Sequence, residues 1–198
     1  MLDRWPDADI VVRNDAKLAA GFLMSALAES GHPARSAVAL HMTEAVGCGL
    51  VIAGEVLEGA HGAAGEIGLD PNGAFGSAEI ALREGAQRLG IPRLEVFAEA
   101  GRNNPQALKV AREVGRWLAL GVRSTTLALD PEVVVLGGPL SACGEALRSV
   151  FVDALGDVSL TPPEVVLVAS SGDAVHRGAL LVASDRARAR LVEGLPQV

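Results

Sequence analysis

The chain has 198 residues, a formal net charge of −7 and only 3% aromatic residues, with a pI near 5.1. That acidity, without clustered Lys/Arg or stacking rings, argues against a nucleic-acid surface, and no apolar run reaches the ~18 residues of a membrane span. Two distant cysteines, Cys48 and Cys143, fit a reduced, cytoplasmic protein with structural thiols rather than a disulfide scaffold. With 49% hydrophobic residues, residues 1–198 are expected to form one domain around a sizeable core.

The opening MLDRWPDADI is charged and polar, unlike a signal peptide. DADIVV is expected as a short strand that delivers Arg13, Asn14 and Asp15 to its carboxyl end. AKLAAGFLMSALAESG has helical spacing (Leu18, Phe22, Leu23, Ala26, Leu27) and stops at Gly31, with Pro33 beyond. SAVALHM and VGCGLVIAG are apolar and read as neighbouring antiparallel strands joined tightly by TEA. GEVLEG then turns into a short return strand. Helices are predicted at about 77–89, 94–100 and 106–127. EVVVLGG reads as a buried strand ending in a glycine pair. A helix over about 144–155, the strand EVVLVAS and a last helix over about 175–191 complete the order. Strand and helix alternating after an antiparallel start predict a mixed α/β sheet with helices on its faces. The arginines of DRARARLVEG are read as the solvated face of that last helix.

Residues 46–79 hold nine of the 23 glycines, among short apolar runs and spaced carboxylates. Such density predicts positive φ angles or close backbone approach. GAAGEIGLDPNGAFG reads as a shaped loop that could bring Glu66 and Glu79 onto one small molecule; a plain hairpin and turn is the alternative. Asn14 and Asp15 sit at a strand end, where ligands collect in α/β sheets. Asp15 could equally cap the following helix. Glu66 could be a solvated loop residue, and Glu79 an early-helix residue favoured by the macrodipole. The four histidines show no metal-ligand spacing; His61 is the one near the glycine loop.

VRNDAKLAA, GCGLVIAGEVLEGAHGAAGEIG, the spacing Gly73, Gly76, Glu79, and DPEVVVLGGPLS occur in that order and together resemble the ROK family (repressor, open reading frame, kinase). The resemblance implies the C-terminal lobe of the actin-like ATPase (ribonuclease H-like) fold, with the first lobe and any DNA-binding domain absent. It implies sugar contacts from Asn14, Asp15, Glu66 and Glu79, with Asp15 as general base only in a kinase. It also implies degenerate nucleotide-side motifs at Gly47, Gly49, Gly137 and Gly138, the last pair being equally a strand-to-helix turn.

Departures from the family pattern shape the expected function. The family's metal- and sugar-binding His position is Leu69, and its three Cys positions align with Asp70, Asn72 and Ser77. Leucine ligates no metal and no thiolate remains, so no zinc site is expected. The family's glycine-rich phosphate run reads TEAVG, where Thr43 and Ala45 replace glycines and Glu44 would face the phosphates. ATP is therefore not expected as a cofactor. The expected function is the sugar-sensing domain of a ROK-type transcriptional regulator, closer to that branch than to the zinc-containing kinases. The alternative is a truncated, ATP-dependent kinase of a hexose or N-acetylhexosamine. A sugar ligand and a homodimer are the expected partners, with DNA reached only through an N-terminal domain outside this chain.

Overall fold

The structure is a computed structural model and describes residues 10–43, 45–170 and 172–193. Helix α1 (Asp15–Glu29) is followed by strands β1 (Ala37–Met42), β2 (Val46–Ile52) and β3 (Glu55–Val56). Then come helices α2 (Ala74–Leu89), α3 (Glu95–Gly101) and α4 (Pro105–Leu129). Strand β4 (Val133–Gly137), helix α5 (Glu145–Gly156), strand β5 (Glu164–Val168) and helix α6 (Ala174–Glu193) complete the chain. The five strands form one sheet in the order β3-β2-β1-β4-β5. β1–β2 and β2–β3 pair antiparallel, while β1–β4 and β4–β5 pair parallel. The mixed sheet with flanking helices is the one expected from the order of elements.

Strand alternation decides how the layers assemble. Val38, Leu40 and Met42 of β1, with Val134 and Leu136 of β4, join the core under α2, α3, α4 and α5. Ala37, Ala39, Val133 and Val135 point the other way, under α1 and α6. A strand with period 2 can serve both layers only if it is apolar throughout, and β1 is buried at all six positions. Small residues on the α1 face let that helix lie close. A Cβ on Gly47 would come 2.7 Å from Ala16 Cβ, and one on Gly49 would collide with Ala20 Cβ.

The long helix α4 buries Ala107, Val110, Ala111, Val114, Leu118 and Val122 along one stripe, the spacing of a core-facing helix. Each large apolar side chain buried there contributes roughly 1.5–3 kcal/mol. Asn104 caps it by accepting from the Gln106 and Ala107 N–H groups, Pro105 occupies its first turn, and Asp130 ends it in the left-handed region.

Three local expectations are corrected. Ile10–Val12 form no strand; the first residues of DADIVV, like Glu44 of TEA, lie outside the described residues. Helix α2 begins at Ala74 instead of near Ser77, because Phe75 is buried against Gly121 of α4 and draws the first turn inward. The helix cap at α1 is Asn14, not Asp15: Asn14 Oδ1 accepts from Lys17 N at 3.2 Å, and Asp15 is the first helical residue. The arginine-bearing end of α6 is exposed, as expected of a solvated face. Among the described residues no helix is long and apolar enough to cross a membrane.

Candidate functional site

The amino end of α1, the carboxyl end of β1, the start of β2 and the glycine-rich loop converge on one small cavity of about 220 Å³. Asn14, Asp15, His41, Cys48, Glu66 and Leu69 are among the residues that line it. Closed ligand pockets usually begin at roughly 300 Å³, so this cavity has room for only part of a small molecule. A larger groove of about 740 Å³ runs between Ile10–Leu18 and α6, but among the described residues its lining brings no carboxylate or amide together.

Asn14 joins two parts of the site. Its Oδ1 caps α1, and its Nδ2 donates to Glu66 Oε1 at 2.6 Å. An amide has exactly the two faces this requires: acceptor on one side, donor on the other. Asp15 Oδ1 accepts from the Ala16 N–H at 2.8 Å, and the carboxylate is otherwise exposed at the cavity mouth. Among the described residues its second oxygen meets no hydrogen-bond donor.

The loop that carries Glu66 is held down by a residue sequence reading passed over. Lys17 is 3% exposed, and its Nζ donates to the Glu58 carbonyl at 2.8 Å and the Gly62 carbonyl at 2.5 Å. It also faces Glu58 Oε2 at 3.5 Å, and Arg13 pairs with the same carboxylate. A buried ammonium needs such partners. The signal in the sequence was a lysine on the apolar face of α1, next to Ala16 and one turn before Ala20. Gly65 completes the loop: its φ is +87°, and a Cβ there would collide with the Cys48 carbonyl. Glycine is needed at that position so that Glu66 can follow immediately over β2.

The structure brings together Asn14, Asp15 and Glu66, and does not bring Glu79 to them. Glu79 lies on α2, outside the cavity lining, and its Oε2 accepts from Arg93 at 3.1 Å. Its Oε1 is buried without a hydrogen-bond partner among the described residues. His61 is exposed on the loop and is not among the lining residues. His41, which sequence reading set aside, does line the cavity.

The glycines with nucleotide-side spacing have packing roles. Gly47 and Gly49 accommodate Ala16 and Ala20; Gly137 leaves room for Leu23, whose Cδ2 would lie 2.5 Å from an added Cβ. Gly138, at φ +63°, turns β4 into a 3-10 segment (Gly138–Cys143), and its N–H donates to Ser170 Oγ. The positions where zinc ligands would stand do not fit a metal. Leu69 is a hydrocarbon, Asp70 Oδ1 accepts from Asn72 N at 2.9 Å, and Ser77 Oγ donates to the Gly73 carbonyl. Burial pushes both cysteine thiols up to about 12, with Glu66 adding to the effect at Cys48.

The ROK family pattern matches residues 4–186. A glucokinase of Halalkalibacterium halodurans is 29% identical over 171 residues, covering 70% of this chain and 51% of its own length. A ROK family glucokinase from Streptomyces griseus, solved with glucose and AMPPNP, aligns at TM-score 0.72 and 22% identity over 91% of this chain and 70% of that one. A ROK family transcriptional regulator, a homologue of the E. coli MLC protein, aligns at TM-score 0.63 and 22% identity over 86% of this chain and 53% of that one. The fold is thus the actin-like ATPase fold of ROK kinases and regulators. The chain spans between a third and about half of the length of the curated relatives it matches.

Proposed function

The chain belongs to the ROK family, and from that premise we propose that it is the C-terminal, sugar-sensing lobe of a ROK-type transcriptional regulator, without kinase activity of its own. The observation that carries this is the Asn14–Glu66 hydrogen bond, which fixes an amide and two carboxylates, Asp15 and Glu66, around one small cavity. Each carboxylate accepts hydroxyl protons in set directions, the chemistry by which a protein reads a sugar. Glu79 is kept as an outer contact, because its buried Oε1 lacks a donor among the described residues.

Two features favour sensing over phosphoryl transfer. In the run Thr43–Gly47, Thr43 and Ala45 stand where glycines would let backbone N–H groups approach phosphates. Glu44, a carboxylate within that run, would repel phosphates. Sugar binding would then act by favouring one arrangement of lobes or subunits over another. A homodimer in the cytoplasm, contacting DNA through a separate domain, completes the proposal.

The second reading is an ATP-dependent hexose or N-acetylhexosamine kinase. Relatives named as glucokinase and as the bifunctional NanE/NanK favour it, and Asp15 would be its general base. One set of measurements separates the two. Calorimetry and thermal shift with hexoses, N-acetylhexosamines, pentoses and their phosphates should find a ligand whose binding is lost in both Asp15→Ala and Glu66→Ala. A coupled assay should detect no sugar-dependent ADP release. Turnover would establish the kinase instead, and ligand binding indifferent to both substitutions would remove the site.

A further inference from the structure

His41 is the polar exception on an apolar strand. It has the same parity as Ala37 and Ala39, on the face of β1 covered by α1, and it is 3% exposed. Neither Nδ1 nor Nε2 has a hydrogen-bond partner among the described residues. Polar groups buried this way are rarely left unmatched unless something else completes them. On one side the ring is set by Gly138, where a Cβ would stand 2.7 Å from Cε1 and 2.8 Å from Nδ1. On the other it lines the cavity of Asn14, Asp15 and Glu66.

We propose that His41 is a further ligand contact of this cavity, hydrogen-bonding through a ring nitrogen to a sugar hydroxyl that is also held by Asp15. The inference rests on the sugar-binding reading and adds a residue that reading does not use. A hydroxyl both donates and accepts, so it can bridge a carboxylate and an imidazole N–H. An anionic group would instead meet Asp15 and Glu66, and no Lys or Arg lines the cavity among the described residues. Burial lowers the His41 pKa, while Asp15 acts to raise it. Among the described residues, the other titratable groups lining the cavity are Asp15 on α1, Glu66 on the loop and Cys48 on β2, and Asp15 is the charge that acts on the ring. A neutral imidazole in that setting offers one donor and one acceptor.

The test uses the whole chain with the sugar selected by the panel above. His41→Leu keeps apolar volume and removes both nitrogens; His41→Gln keeps a donor and an acceptor. His41→Leu should weaken binding by about tenfold or more, and His41→Gln by less than about threefold. Long-range proton–nitrogen spectra, assigned by loss of the His41 signals in His41→Gln, should show those ring nitrogens shifting as sugar saturates the wild type. Wild-type binding with unmoved ring signals, or equal affinity in His41→Leu, would overturn the His41 contact and leave the sugar site standing. Binding that survives in both Asp15→Ala and Glu66→Ala, or no binding by any panel member, would overturn the sugar site and this contact with it. A phosphorylated sugar that shifts the ring more than its free form would overturn the hydroxyl assignment.

Discussion

Asn14 Nδ2 donates to Glu66 Oε1 at 2.6 Å, tying the cap of α1 to a loop residue 52 positions further along the chain. The same side chain stabilises the helix and orients the carboxylate, so the two roles can be separated by substitution. Asn14→Ala removes both and should cost about 1 kcal/mol of stability for the cap alone. Asn14→Asp keeps a good capping oxygen but sets it against Glu66. Its melting temperature should stay nearer the wild type than that of Asn14→Ala, while sugar affinity falls in both. Denaturant midpoints and calorimetry measure the two effects side by side. Equal sugar affinity in Asn14→Asp and wild type would show that the orientation of Glu66 is immaterial.

Lys17 should matter to the loop more than to the helix. Lys17→Met preserves the buried stem and loses the bonds to the Glu58 and Gly62 carbonyls. Hydrogen bonds from a charged donor are worth roughly 1.5–3 kcal/mol each when lost, and water will recover part of that at an exposed loop. A net destabilisation of about 2 kcal/mol is expected. Amide exchange should accelerate over residues 58–68 while the centre of α1 stays protected. Uniform acceleration across α1 would indicate that Lys17 supports the helix instead.

Two loop glycines make a controlled pair. Gly62 (φ +72°) has open space around its missing Cβ, whereas Gly65 (φ +87°) faces the Cys48 carbonyl at collision distance. Gly62→Ala should cost only the left-handed backbone, about 1–2 kcal/mol. Gly65→Ala adds a steric clash of roughly 1–3 kcal/mol and should displace Glu66, abolishing ligand binding. Chemical denaturation of both variants gives the comparison; equal losses would mean the loop yields freely over β2.

The buried thiols predict a dependence on alkaline pH. With Cys48 and Cys143 each pushed up to about 12, the folded state keeps its thiol protons where the unfolded chain, near 8.5–9, releases them. Their contribution is fully present below the unfolded pKa and is lost as pH rises toward 12. The slope approaches about 1.4 kcal/mol per pH unit for each thiol. Native protein should also resist thiol reagents at pH 8 until it unfolds. Replacing both cysteines by alanine should flatten the alkaline decline; an unchanged pH profile would trace it to other groups.

Local pattern alone determined most of the framework. The 3.6-residue stripe of α4 and the apolar runs of β1, β2 and β4 were legible because each element's burial is written in its own periodicity. The same holds for AAGEIG, whose Gly65, at φ +87°, reports a backbone that no other residue adopts cheaply. What periodicity does not carry is which distant groups meet. Asn14 and Asp15 are neighbours in sequence and look interchangeable as caps; only packing against the loop gave the cap to Asn14, because its amide can also donate to Glu66. Glu79 has the right spacing, but α2 begins a turn early, drawn in by Phe75, and its carboxylate meets Arg93 outside the cavity. His41 and Lys17 sit within apolar runs and read as ordinary strand and helix residues. Their place beside Asp15 and beneath the glycine loop was decided by the parallel pairing of β1 with β4 and by α1 lying across the sheet. Those contacts join residues far apart in the chain, and they exist only once the two apolar faces of the sheet have been covered.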